Sequence, residues 1–257
     1  MAATPGGKNK LMRSARIYVG GYDLSGDSRT FGTAMGTFGE VDFTGWSELV
    51  RNYLADGWLQ AGITGYQALM NDTSGRALDQ LQLSGDSTAS QLSLCFGSGG
   101  ADPAVPDPAY VLPSIQLNDL QGFDSAAAVL SGVDFRMDAA QYDANIAKTL
   151  GHVMRGPTTL SATLSASSSN TVDGGGQTTE GGFAILHILS TASGNFAFKL
   201  RDSSDDSSFA DLASFTLDGS AVGSELITFS GTVDQYVGFD AARTGGSCVA
   251  VCTFVRN

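Results

Sequence analysis

The residues that could do chemistry are few in this chain, and their spacing suits little of it. His152 and His187 are the two histidines, so a Ser-His-Asp or Cys-His pair has at most two bases to draw on. His187 lies inside the apolar run FAILHIL, where a histidine is expected as a satisfied core residue. Cys95, Cys248 and Cys252 are odd in number and close no disulfide framework. On an extended strand Cys248 and Cys252 share a face but stand roughly 13 Å apart, at about 3.3 Å per residue, too far to bridge. All three are expected as packed thiols. Cys248-x3-Cys252 has no second ligand pair for zinc, and no P-loop, GxSxG, HExxH or CxxC occurs.

Carboxylates remain. Asp202, Asp205, Asp206 and Asp211 could in principle collect a calcium ion, but their spacing is not that of a DxDxDG loop. Serines crowd the same stretch, and a turn capped by side-chain-to-backbone hydrogen bonds accounts for it. Glu40 and Asp42 share one strand face, opposite Val41 and Phe43. No aromatic platform flanks that face as a glycosidase cleft would need, so a solvated acidic surface is expected. With no catalytic set and no cofactor motif, the chain is read as a non-enzyme that needs no cofactor or metal.

The elements that carry these residues read as β. Phe196 to Leu212, FAFKLRDSSDDSSFADL, sets Phe196, Phe198 and Leu200 on one face and Ala197, Lys199 and Arg201 on the other, then turns through Ser203 to Ser208. It reads as a β-hairpin. Glycine, 33 of 257 residues, is about twice its usual share, and only 16% of residues are charged. Both argue against long helices. Strands are expected over Ala15 to Leu24, Phe31 to Phe43, Trp58 to Leu69, Gln91 to Phe96, Ile115 to Phe123 and Val129 to Met137. Ser47 to Asp56 is the best helix candidate, with Leu49, Val50, Tyr53 and Leu54 in one stripe, Thr44 or Ser47 as cap and Gly57 as stop. A shorter helix is expected near Ser74 to Leu81. Gly97 to Pro113 holds four prolines and is expected at an edge or rim.

After Gly156-Pro157 a second body is expected. Ala162 to Gly182 is a Ser/Thr/Gly-rich connection, followed by short strands at Phe183 to Leu189, Phe196 to Arg201, Ala213 to Leu217, Leu226 to Ser230, Tyr236 to Asp240 and Ser247 to Val255. Such spacing suggests a sandwich of the Ig-like kind. The net charge of −12 disfavours a general nucleic-acid-binding role. Lys8, Lys10, Arg13 and Arg16 make residues 1–16 a basic tip on an otherwise acidic chain, either a solvated terminus or an arm for an acidic copy of the same protein. No secretory signal or membrane-spanning run is visible, so a cytosolic protein is expected.

Two segments resemble a known family. FTGWSELVRNYLADGWLQAGITGYQALMND, Phe43 to Asp72, is similar to the helix-then-strand signature of tail tube proteins of long-tailed, siphovirus-like bacteriophages. In the second body Lys199, Ser204, Asp205, Phe209, Asp211, Leu212, Tyr236 and Arg256 resemble a module common in phage tail proteins. Phe209 stands where Trp is usual there, and Gly238 where Arg is often found. Together the segments cover roughly a third of the chain.

The resemblance implies a mainly β fold: a tail-tube β-sandwich or half-barrel over residues 17–155 with one flanking helix near 47–56, and a C-terminal sandwich over 156–257 that decorates the outside. It implies homohexameric rings stacked into a tube through which DNA is ejected, with residues 1–16 reaching the next ring. It places the protein in the virion tail, assembled in the host cytoplasm. The implied partners are copies of itself, a tape-measure protein, tail terminator and distal tail proteins, and the passing DNA, with no membrane. An acidic lumen would repel phosphate, and Glu40, Asp42, Asp134 and Asp138 are its candidates. Asp134 and Asp138 also share a strand face with Arg136, which fits a cross-strand ion pair instead. The rival readings are a receptor- or carbohydrate-binding module of a phage tail or surface structure, and a capsid decoration protein.

Overall fold

A computed structural model describes residues 14–42, 53–69, 71, 73, 90–116, 120–122, 130–137 and 148–257. These form one large antiparallel sheet system of fifteen strands and, among the described residues, no α-helix. The N-terminal body holds β1 (Ala15–Val19), β2 (Tyr22–Asp23), β3 (Ser28–Thr30), β4 (Thr33–Asp42), β5 (Tyr53–Leu69), β6 (Ser90–Phe96), β7 (Pro108–Gln116), β8 (Leu120–Gly122) and β9 (Leu130–Met137). β10 (Leu150–Leu160) leads into β11 (Thr171–Asp173), β12 (Gly182–Ser203), β13 (Ala210–Ser214), β14 (Gly223–Phe229) and β15 (Tyr236–Arg256). The main path runs β13-β12-β15-β10-β7-β6-β1-β2.

Side-chain alternation sorts these strands into three apolar layers. In β1, β6 and β7 one face gives Ile17, Val19, Leu92, Leu94, Tyr110 and Leu112 to a core shared with Ile63 and Tyr66 of β5 and Phe135 of β9. The other face gives Tyr18, Cys95, Ala109 and Val111 to a middle layer completed by Phe183 and Ile185 of β12 and Val251 and Val255 of β15. The alternate residues of those strands, Ala184, Leu186, Ile188, Ala250, Cys252 and Phe254, enter the third core. FAILHIL is apolar throughout because this part of β12 is buried on both faces.

β12 and β15 pair along nearly their whole lengths, with irregularities between Ile188 and Ser190, Ala192 and Ser193, and Asn195 and Phe196. These shifts change the inward parity of β15 from Val237, Phe239 and Ala241 to Cys248, Ala250 and Cys252, so both halves of the strand feed the third core. Strands expected separately at 183–189 and 196–201, and at 236–240 and 247–255, are therefore each one long bent strand.

Four other expectations change. Tyr53 to Asp56, the end of the expected helix, open β5, with Tyr53 opposite Asp42 and Leu54 opposite Val41. A stripe of two turns is marginal alone, and ladder pairing over a long strand outweighs it. Residues 47–52 and the second expected helix at 74–81 lie outside the described residues. The first expected strand is a hairpin instead, because Gly20 (φ 60°) and Gly21 (φ 92°) make the two-residue turn that joins β1 to β2. Pro108 to Pro113 lies in β7, inside the sheet. Pro108 is the first residue of that strand, and Pro113 pairs with Gln91 where the β10 partnership has ended and the β9 partnership begins at Ser114. The boundary expected at 155/156 falls inside β10, which pairs with β7 at one end and β15 at the other.

Candidate functional site

The hairpin of β12 and β13 forms as its alternation requires. Phe196, Phe198 and Leu200 are buried, and Phe198 stacks between Phe196 at 5.5 Å and Phe239 at 5.8 Å. In the turn, Asp205 accepts hydrogen bonds from the Ser207 and Ser208 amides and the Ser203 hydroxyl at 2.8–3.0 Å. Those donors hold its carboxyl well below the usual range. Asp206 takes a left-handed φ of 55°, which an Asp tolerates, and accepts from Thr171. Asp202 is buried and accepts from the Asp234 amide, while Asp211 pairs with Lys199 at 2.5 Å and Arg201 at 3.1 Å. Each of the four carboxylates is thus spent on its own local partner. Among the described residues no group of three or more His, Cys, Asp or Glu is placed to hold a metal ion.

His187 is fully buried in the middle layer, and its placement there is more polar than the sequence suggests. Its Nε2 lies 3.0 Å from Ser93 Oγ, which lies 2.8 Å from Thr253 Oγ1. Three strands from both bodies therefore meet in one hydrogen-bonded line. Among the described residues, His187 Nδ1 and the nearby Tyr18 hydroxyl, whose ring centroid is 5.9 Å from the imidazole, have no hydrogen-bond partner. Burial pushes the imidazole down to about 3 and the Tyr18 phenol up. The three thiols are buried as expected.

A second feature is an open ribbon. β5 pairs with β9 only from Gly62 onward, so Tyr53 to Ala61 has β4 on one side and, among the described residues, no strand on the other. β4 in turn pairs only with β5 among those residues. At about 3.3 Å per residue this is a two-stranded ribbon of roughly 30 Å. Two strands alone are marginal in water, and both edges present unpaired backbone groups. Glu40 and Asp42 stand on this ribbon opposite Ala55 and Tyr53. Asp134, on β9, accepts from the Gly65 amide at 2.7 Å, where the β5–β9 ladder shifts register. Asp138 and the basic Lys8, Lys10 and Arg13 lie outside the described residues. Arg16 does not belong to a free arm: it is part of β1 and pairs with Asp102 at 2.5 Å. Sequence reading anticipated β4 and the part of β5 from Trp58 onward, but read Tyr53 to Asp56 as helix and did not anticipate the pairing; the Gly-rich alternation of Thr33 to Asp42 was the available signal.

Arg16 and Asp102 also line a cleft of about 430 Å³ at the junction of the two bodies, with Asp23, Ser25, Pro157 and Ser190. Its polar groups are turned on each other: Arg16 on Asp102, and Asp23 on the Ser25 amide and hydroxyl. It holds no aromatic side chain for sugar stacking.

No known protein family and no curated protein matches the chain. Among solved structures, the chain is similar to the crystal structure of the SPP1 Dit protein, described as a paradigm of the hub adsorption apparatus in phages that infect Gram-positive bacteria. The match covers 94% of this chain and 99% of that one at 12% identity and a TM-score of 0.32. At that level the likeness carries no argument about this chain.

Proposed function

We propose that this chain is a structural virion protein of a long-tailed bacteriophage, a tail tube subunit whose copies join edge to edge into rings and whose rings stack. The open β4–β5 ribbon carries the reading. The two edges that are open among the described residues belong to different strands, so one copy's β4 edge can take the next copy's β5 edge. Such head-to-tail contacts close into rings when the rotation permits. The segment resemblances at Phe43 to Asp72 and Phe196 to Leu212 support the same reading.

In that assembly Glu40 and Asp42 line or approach the lumen and repel passing DNA, and residues 1–13 carry the basic arm to a neighbouring ring. Six-fold symmetry and contacts with tape-measure, terminator and distal tail proteins belong to the proposal. Negative-stain microscopy of the purified full chain tests it: rings or tubes are the expected result. A stable monomer at high concentration and physiological salt would overturn it. Removal of residues 1–13 is expected to leave rings intact and reduce stacking.

A further inference from the structure

The middle layer differs from the two cores on either side of it. The titratable side chains among the apolar members of the two outer cores, Tyr66, Tyr110, Cys248 and Cys252, are neutral at pH 7 and below. The middle layer, by contrast, has His187 packed within it, fully buried, where it joins β12 to β6 and, through Ser93, to β15. Each neighbouring strand presents a group to it. From β1 comes the Tyr18 phenol; from β6, Ser93, with the Cys95 thiol in the same layer; from β15, Val251 and Thr253. On β14 its register partner is Ser224, whose hydroxyl donates to Gln91 on β6. Burial keeps Tyr18 and Cys95 neutral. Among the described residues no carboxylate contacts the ring, so nothing nearby compensates a proton placed there.

We propose that the Ser93–His187–Thr253 contact is an acid-sensitive latch between the two bodies, which opens when His187 is protonated while both outer cores stay packed. With Ser93 on Nε2 as donor, a neutral imidazole accepts; an imidazolium must donate from both nitrogens, and among the described residues nothing accepts from Nδ1. The released strand faces are those of β1, β6, the first half of β12 and the last third of β15. This inference rests on the fold and stands or falls apart from the tail reading.

Hydrogen exchange of the full chain at pH 7 and pH 5, corrected for the pH dependence of chemical exchange, tests it. An imidazole that titrates near 6.5 once exposed multiplies the open population about 25-fold over that interval. Amides of β1, β6 and residues 182–188 are expected to exchange faster by a factor of that order, with those of β13 and of residues 196–203 unchanged. H187Q should abolish the acid response. If H187Q does not fold, S93A in the wild-type histidine background should enlarge opening at pH 7 and keep the acid response. No localised change in the wild type overturns the proposal, as does an acid response that survives in a folded H187Q.

Discussion

The β12–β15 pair and the β4–β5 pair are both long antiparallel ribbons, and the molecule treats them differently. β12 and β15 run 22 and 21 residues, carry β13, β14, β10 and β11 on their outer edges, and bury apolar side chains on both faces over much of their length. β5 runs 17 residues, but its first half has only β4 beside it among the described residues. The comparison teaches that strand length alone does not make a stable sheet. One ribbon is finished inside its own chain. The other has open edges among the described residues, which a second copy completes in the proposed assembly.

The sharpest test of the finished ribbon is Phe198→Ala. It removes a fully buried ring stacked between two others, and the expected loss is about 3–5 kcal/mol, measured by urea unfolding. A loss below about 1 kcal/mol would put the two ribbons on equal terms.

Acid should act next most strongly. His187 titrates near 3 in the folded chain and near 6.5 when unfolded, so stability is unaffected by it above 6.5 and is lost as pH falls from there toward 3. Between pH 7 and 5 the expected loss is about 2 kcal/mol at ~1.4 kcal/mol per pH unit. The lowered carboxyls of Asp173, Asp205, Asp211 and Asp218 contribute stability that is present above their unfolded range near 4 and is lost only below it. In the window from 6.5 to 4.5 those carboxyl contributions are still in place, and the His187 part is the difference between wild type and H187Q, whose unfolding midpoint should be flatter across it.

Glu225→Ala should cost about 1–2 kcal/mol, because the Thr216 and Leu217 amides and the Thr216 hydroxyl all donate to that carboxylate at 2.8–3.0 Å. Faster exchange confined to residues 215–217 would confirm that the loop beside the closed ribbon depends on it. The smallest effect on folding belongs to the open ribbon. Thr37→Lys with Gly39→Lys places charge on β4 and should change stability by less than about 1 kcal/mol while abolishing rings in microscopy. Intact assembly in that variant would break the proposed division of labour between the ribbons.

The β12–β13 hairpin at one end of the finished ribbon was legible in the residues; that β12 and β15 are each one long strand and pair with each other was not. Phe196, Phe198 and Leu200 alternate with polar neighbours, and the Ser/Asp run needs only local hydrogen bonds to turn, so both signals lie within a few residues of each other. At the end of the stripe expected as a helix, Tyr53 and Leu54 suit a helix face or a strand equally, and pairing with β4 made the choice, beyond the reach of local pattern. The continuous core run at Phe183 to Leu189 announced burial but not that two layers shared it. The polar line through His187 had no sequence signal at all, since Ser93, His187 and Thr253 are separated by 94 and 160 residues along the chain.

What the sequence determined by itself is the class: glycine-rich, weakly charged, alternating segments that bury their apolar faces as sheets. The tertiary structure decided which faces meet. Alternation says that a strand has two sides, but pairing partners, the register shifts in β15 and the joining of two bodies through one buried layer depend on contacts between residues far apart in sequence. Among the described residues the same long-range contacts leave the β4–β5 edges without a further strand.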